Sequence, residues 1–120
     1  MGDPRQKKYL AKRADKNQPV IVRAFRQLGC TVTHTHEVGH GFVDIVVGVD
    51  GFNALVEIKD GTKPPSKRKL TPDECEWHAL WRGQKCIIES VDQVFLFVQA
   101  MKAFAAAVKK AGLEFPAVVG

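Results

Sequence analysis

The sequence predicts an α/β domain on a mixed sheet, and three observations carry that expectation. Apolar residues recur with helical period through residues 17–28, two alternating apolar runs flank Asp50-Gly51, and capping-box patterns begin at Thr71 and Ser90. They give the order α-β-β-β-α-β-α, without internal repeats. The 120 residues suffice for one core and are too few for two, and 45% hydrophobic with 26% charged residues excludes wholesale disorder.

Residues 1–16 hold little apolar content and read as a basic flexible arm. In the segment that follows, Ile21, Ala24, Phe25 and Leu28 mark one face of a helix over 17–28, with Pro19 in its first turn and Gly29 as its terminator. Residues 30–36 alternate and are β-branched, which predicts a strand. Asp50-Gly51 then predicts a two-residue hairpin between Phe42–Val49 and Phe52–Lys59. In that register Val49 faces Phe52, and Asp44 sits opposite Glu57 with Lys59 on the same face. The other face, Val43, Ile45 and Val47 against Ala54, Val56 and Ile58, is wholly apolar and belongs to the core.

Thr71-Pro72-Asp73-Glu74 opens the next helix, expected to carry Trp77, Leu80 and Trp81 inward and to stop at Gly83. Residues 86–88 read as a short buried strand. Ser90-Val91-Asp92-Gln93 opens a long Ala-rich helix ending near Gly112. The expected organisation is a single domain over 17–112 and a tail over 113–120. The apolar set Ala100, Met101, Phe104, Ala105 and Val108 is available either to a second copy of the chain or to the chain's own sheet.

Charge narrows the partners. The net charge is +5, with eight bases and two acids in residues 1–28 and ten bases and eleven acids in the rest. Lys63, Lys67, Arg68 and Lys69 form a second basic run after the hairpin. Clustered bases on a balanced domain point to a polyanion, and the run is expected to contact DNA phosphates; a solvated basic surface is the alternative. No uninterrupted apolar run of roughly 18–20 residues is present, so no membrane span is expected. The basic N-terminus lacks the apolar stretch of a secretory signal. Three cysteines without a CxxC fit reduced thiols in a cytosol-like compartment.

Two carboxylates on adjacent strands can share an oxygen-seeking divalent ion, with the Ile58 carbonyl between Glu57 and Lys59 as a further oxygen. Such an ion activates water toward a phosphodiester, and Lys59 is placed to orient the nucleophile or to stabilise developing charge. An ion-paired, solvated sheet face is the bland alternative. Cys30, His34 and His36 share a strand face, with His40 nearby; zinc is one reading and polar histidines at the site's rim the preferred one. Trp77 and Trp81 are expected in the core, with base stacking as the alternative. Cys75 with His78 lacks an oxyanion-hole signature.

Asp44-Ile45-Val46-Val47-Gly48-Val49-Asp50, Leu55-Val56-Glu57-Ile58-Lys59-Asp60-Gly61 and Lys69-Leu70-Thr71-Pro72-Asp73-Glu74 together resemble the PD-(D/E)XK nuclease superfamily. More narrowly, they are similar to its small stand-alone phage and bacterial VRR-NUC nucleases. The resemblance spans about residues 17–98; Val43 stands where the motif usually has Pro. It implies a restriction-endonuclease-like αβββαβ core, its mixed sheet flanked by helices, with the long C-terminal helix added. It also implies Mg²⁺ or Mn²⁺ dependence and structure-selective DNA hydrolysis. Asp44 and Glu57 would bind metal with the Ile58 carbonyl, Lys59 would be catalytic, and Gln18 matches a first-helix residue near the metal. Stand-alone members are similar to Holliday-junction resolvases, which act as homodimers on four-way junctions in the cytoplasm of a bacterium or phage-infected host. Flap, nicked or duplex DNA, RNA, or non-catalytic DNA binding are the alternatives.

Overall fold

The computed structural model describes residues 15–113; the expected arm, apart from Asp15 and Lys16, and the tail beyond Leu113 lie outside the described residues. The order is α1 (Gln18–Gln27), β1 (Thr31–His34), β2 (Ile45–Val49), β3 (Phe52–Ile58), α2 (Pro72–Leu80), β4 (Lys85–Ile88) and α3 (Val91–Lys110). The sheet runs β1-β2-β3-β4, antiparallel through β3 and parallel between β3 and β4. Over the described residues the fold is therefore α/β with a four-stranded mixed sheet and three α-helices.

Local chemistry fixes the turns. Asp50 and Gly51 both adopt positive φ (49° and 87°), and Val49 pairs with Phe52, as a type I′ hairpin requires. α1 ends in a Schellman motif: Gly29 has φ 87°, its N–H reaches the Arg26 carbonyl, and the Cys30 N–H reaches Phe25. The core joins Ile21, Val22 and Phe25 of α1, Ile45, Val47, Ala54, Val56 and Ile58 of the hairpin, and Val94, Val98 and Met101 of α3. The hairpin face expected to be apolar is thus the face covered by α1 and α3.

Three expectations need correction. β1 stops at His34, because the Thr35 hydroxyl donates to the Val43 carbonyl and the chain enters a 3₁₀ turn over His36–Val38. α2 stops at Leu80, three residues before Gly83, and Leu80 and Trp81 are exposed rather than inward. At α3 the Ser90 hydroxyl accepts from Gln93 N–H, but the Gln93 amide oxygen accepts from Glu89 N–H, so the second capping box is not reciprocal. By length and composition alone α3, at mean hydropathy 1.4, would also suffice to cross a membrane, a test that a core helix can pass as well. Its polar residues are too few to offset Phe and Ala. Met101 sits in the core, whereas Phe95, Leu96 and Phe104 remain exposed.

Gly51→Ala should lower unfolding stability by about 1–2 kcal/mol, since a Cβ disfavours the left-handed region. Urea titration at unchanged m-value checks this, and an unaltered midpoint would contradict the turn.

Candidate active site

The site begins where the hairpin ladder ends. Ile45 pairs with Val56, yet the Asp44 N–H also reaches the Val56 carbonyl (3.1 Å), the two-against-one pattern of a β-bulge. Asp44 consequently does not continue the ladder as the paired partner of Glu57. Its Oδ2 accepts from the Ile58 N–H at 2.7 Å, standing in for the missing strand. The Asp44 carbonyl remains in the sheet, accepting from Thr35 N–H at 2.8 Å. Asp44 is thereby tied directly to the Glu57-Ile58-Lys59 segment.

Glu57 and Lys59 share the face opposite the core. Glu57 is fully buried and Asp44 is 2% exposed. Ionised carboxylates so placed need charged or hydrogen-bonding compensation. Lys59 Nζ lies 3.6 Å from Glu57 Oε1 and 2.9 Å from Glu74 Oε1. Glu74, 1% exposed, is the residue that sequence reasoning placed only as a helix cap. It is that cap: Thr71 Oγ1 accepts from Glu74 N–H, and Glu74 Oε1 accepts from Thr71 N–H at 2.8 Å. The same Oε1 therefore closes the capping box and holds the Lys59 ammonium. Lys59 thus stands between Glu57 and Glu74, and the Asp44 carboxylate is bonded to the peptide that links Glu57 to Lys59.

The helix α2 can come this close because residue 41 is glycine. At φ 82° a Cβ on Gly41 would lie 2.3 Å from the Asp73 carbonyl oxygen. From the other side, Asn17 Nδ2 donates to the Lys59 carbonyl at 3.0 Å. Gln18, 2% exposed, does not hydrogen-bond either motif carboxylate; its Nε2 lies 3.1 Å from His34 Nδ1. His34 at the end of the edge strand captures that amide. Both residues line a cleft of about 660 Å³ with Val22, Arg23, Arg26 and His36.

The basic loop is anchored at its base. Gly61 N–H donates to the Glu89 carbonyl, and Arg68 Nη1 pairs with Glu89 Oε2. Arg68 is therefore half-buried and engaged, whereas Lys63, Lys67 and Lys69 are exposed. Asp60 at the loop's start is held below the usual carboxylate range by the hydroxyl and N–H of Thr62.

The histidine and cysteine readings resolve plainly. Cys30 is buried, its thiol pushed up by desolvation and near enough to Lys102 and Asp50 to feel both charges; His36 has left the strand. His34 and His36 meet edge to face at 6.0 Å. Among the described residues no group of three or more His, Cys, Asp or Glu is arranged to hold a metal. A divalent ion would thus rest on two carboxylates and a carbonyl, with water and phosphate oxygens completing the shell as is usual for Mg²⁺. Cys86 is pushed up to about 12 by burial, so its thiol stays protonated. Cys75 is exposed, with its Sγ 3.8 Å from the Leu70 carbonyl.

A scan against protein-family models finds no match, and searches of curated proteins and of solved structures find none.

The doubly used Glu74 oxygen yields a graded expectation. Glu74→Gln keeps an acceptor for Thr71 N–H but removes charge beside Lys59, and should cost about 1–3 kcal/mol. Glu74→Ala should cost about 1 kcal/mol more, because the acceptor for Thr71 N–H goes too. Urea unfolding of both variants checks the order; equal losses would show that the charge, and not the cap, carries the whole effect.

Proposed function

We propose that this chain is a metal-dependent, structure-selective DNA endonuclease with a restriction-endonuclease-like core, most nearly a Holliday-junction resolvase of the VRR-NUC type. The observation that carries the reading is the buried Glu57 beside Lys59, with the Asp44 carboxylate bonded to the peptide between them. The αβββαβ order, the mixed sheet and the exposed Lys63, Lys67 and Lys69 support it.

Asp44, Glu57 and the Ile58 carbonyl would hold Mg²⁺ or Mn²⁺. When bound, such an ion polarises a phosphodiester and lowers the pKa of a water molecule. Lys59 donates to the nucleophile or to the developing oxyanion, and Glu74 fixes where its ammonium stands. Gln18 lines the rim at the start of α1. Lys63, Lys67 and Lys69 position the DNA backbone without reading sequence, while Arg68 braces their loop against Glu89. Paired nicks in a four-way junction need two sites. A homodimer is proposed accordingly, with the exposed Phe95, Leu96 and Phe104 of α3 available to a second copy. The cytoplasm is the proposed location.

The test is gel-resolved cleavage of a four-way junction, a flap, a duplex and a single strand, each with Mg²⁺, Mn²⁺ or EDTA. Asp44→Asn retains an acceptor for Ile58 N–H, so it should fold while losing cleavage by roughly a hundredfold or more; Lys59→Ala should behave alike and still bind DNA. Symmetric junction nicks abolished by EDTA establish the resolvase. Cutting only the flap or duplex keeps the site and changes the substrate. Binding without metal-dependent cleavage of any form makes the chain a DNA-binding module.

A further inference from the structure

The nuclease reading leaves one built feature of α2 unused. Trp77 and Trp81 are stacked, with centroids 5.2 Å apart and planes 17° from parallel. Phe42 and His78 meet Trp77 edge-on at 5.4 Å and 5.0 Å. Next to the Trp81 Nε1 lies Gly83, where a Cβ would sit 2.7 Å from that nitrogen. The outer indole is thus supported on two sides, yet it remains 43% exposed. Exposure of a large ring already held in place is the signature of a contact surface rather than of a core residue.

The helix links this surface to the chemistry. Glu74, Trp77 and His78 fall in one stripe of α2 at i, i+3 and i+4, and Trp81, the C-cap just past its last residue, follows at i+7. Glu74 holds Lys59 at one end of that stripe, and Trp81 lies about 10 Å further along the axis, by a 1.5 Å rise per residue. Charge selects which part of a nucleic acid meets the ring. Asp73 and Glu76 are exposed on the same helix and disfavour a phosphate there. Arg82 and the loop lysines Lys63, Lys67 and Lys69 are exposed and favour a polyanion in the neighbourhood. A base presents a flat, uncharged face, which an indole receives whatever the sequence.

We propose that the outer face of Trp81, braced by Trp77, is a stacking platform for one unpaired nucleobase of the DNA whose phosphodiester is cut at the Asp44–Glu57–Lys59 site. This rests on the nuclease reading and narrows its substrate to DNA carrying an unstacked base, such as a single strand, a flap or an open branch point. A continuous duplex keeps its base faces covered and gains nothing from the platform.

The chain has two tryptophans, and both are in this stack, so tryptophan fluorescence, excited selectively over the single tyrosine, reports on it alone. The experiment titrates the full chain in EDTA and low salt with a single-stranded oligonucleotide, a flap, and a duplex closed into a relaxed covalent circle, which has neither ends nor loops. Binding is followed independently by anisotropy of labelled DNA. The single strand and flap should quench the fluorescence, and the closed duplex should bind without quenching. Trp81→Ala should weaken single-strand binding roughly tenfold and leave duplex affinity unchanged, with Trp81→Phe recovering part of the loss. Single-strand binding without quenching, or equal quenching by the closed duplex, overturns the platform and leaves the nuclease reading standing. Failure of every DNA to bind overturns both.

Discussion

Glu57 places a carboxylate wholly out of water in the middle of a sheet, and much of the molecule is arranged around that fact. Desolvating an ionised carboxylate costs several kcal/mol, and it persists only where nearby charge and hydrogen bonds offset the loss. Lys59 supplies the cation from two residues along the same strand face, at 3.6 Å. Lys59 is itself held more closely by Glu74, whose position depends on the Thr71 capping box and on the bare backbone of Gly41. Hairpin, loop glycine and helix cap are therefore coupled through one ammonium group.

The bulge at Asp44 has the same logic. A regular ladder would have placed another backbone carbonyl against Ile58 N–H. Ending the pairing at Ile45 leaves that N–H to the Asp44 carboxylate, which is drawn toward the segment carrying Glu57 and Lys59. The same residue keeps its carbonyl bonded to Thr35, so the side chain moves without loosening the edge of the sheet. Ile45 and Val47 stay in the core beneath, while Val43, just before the bulge, is buried outside that cluster.

How much of this was legible follows from the range of each interaction. The I′ turn, the hairpin register, the Schellman ending of α1 and the Thr71 box depend on neighbouring residues, and each could be read along the chain. The burial of Glu74 could not, because a glutamate at the third helical position is ordinarily a solvated cap. Its role appears only when β3 brings Lys59 to it. Arg68 looked like its basic neighbours, and Glu89, twenty-one residues on, could not be identified as its partner from spacing alone. The His34–His36 pairing assumed a strand two residues longer than the Thr35 hydroxyl permits. The tryptophans had helical spacing, but periodicity defines a stripe without saying what covers it.

That last distinction explains α2. Glu74 is the residue of this helix that is fully buried, so little apolar burial fastens the helix to the rest. The Thr71 cap, the Lys59 ion pair and the edge contact of Phe42 with Trp77 do so instead. A nine-residue helix is marginal alone, and fixing one by its first turn leaves its last turn free of the core. Trp81 is exposed for that reason: the anchor that sets Lys59 is at the opposite end. One short helix thereby serves two demands that a core helix could not combine, a rigid polar tie to the buried carboxylates and an aromatic face left open to solvent.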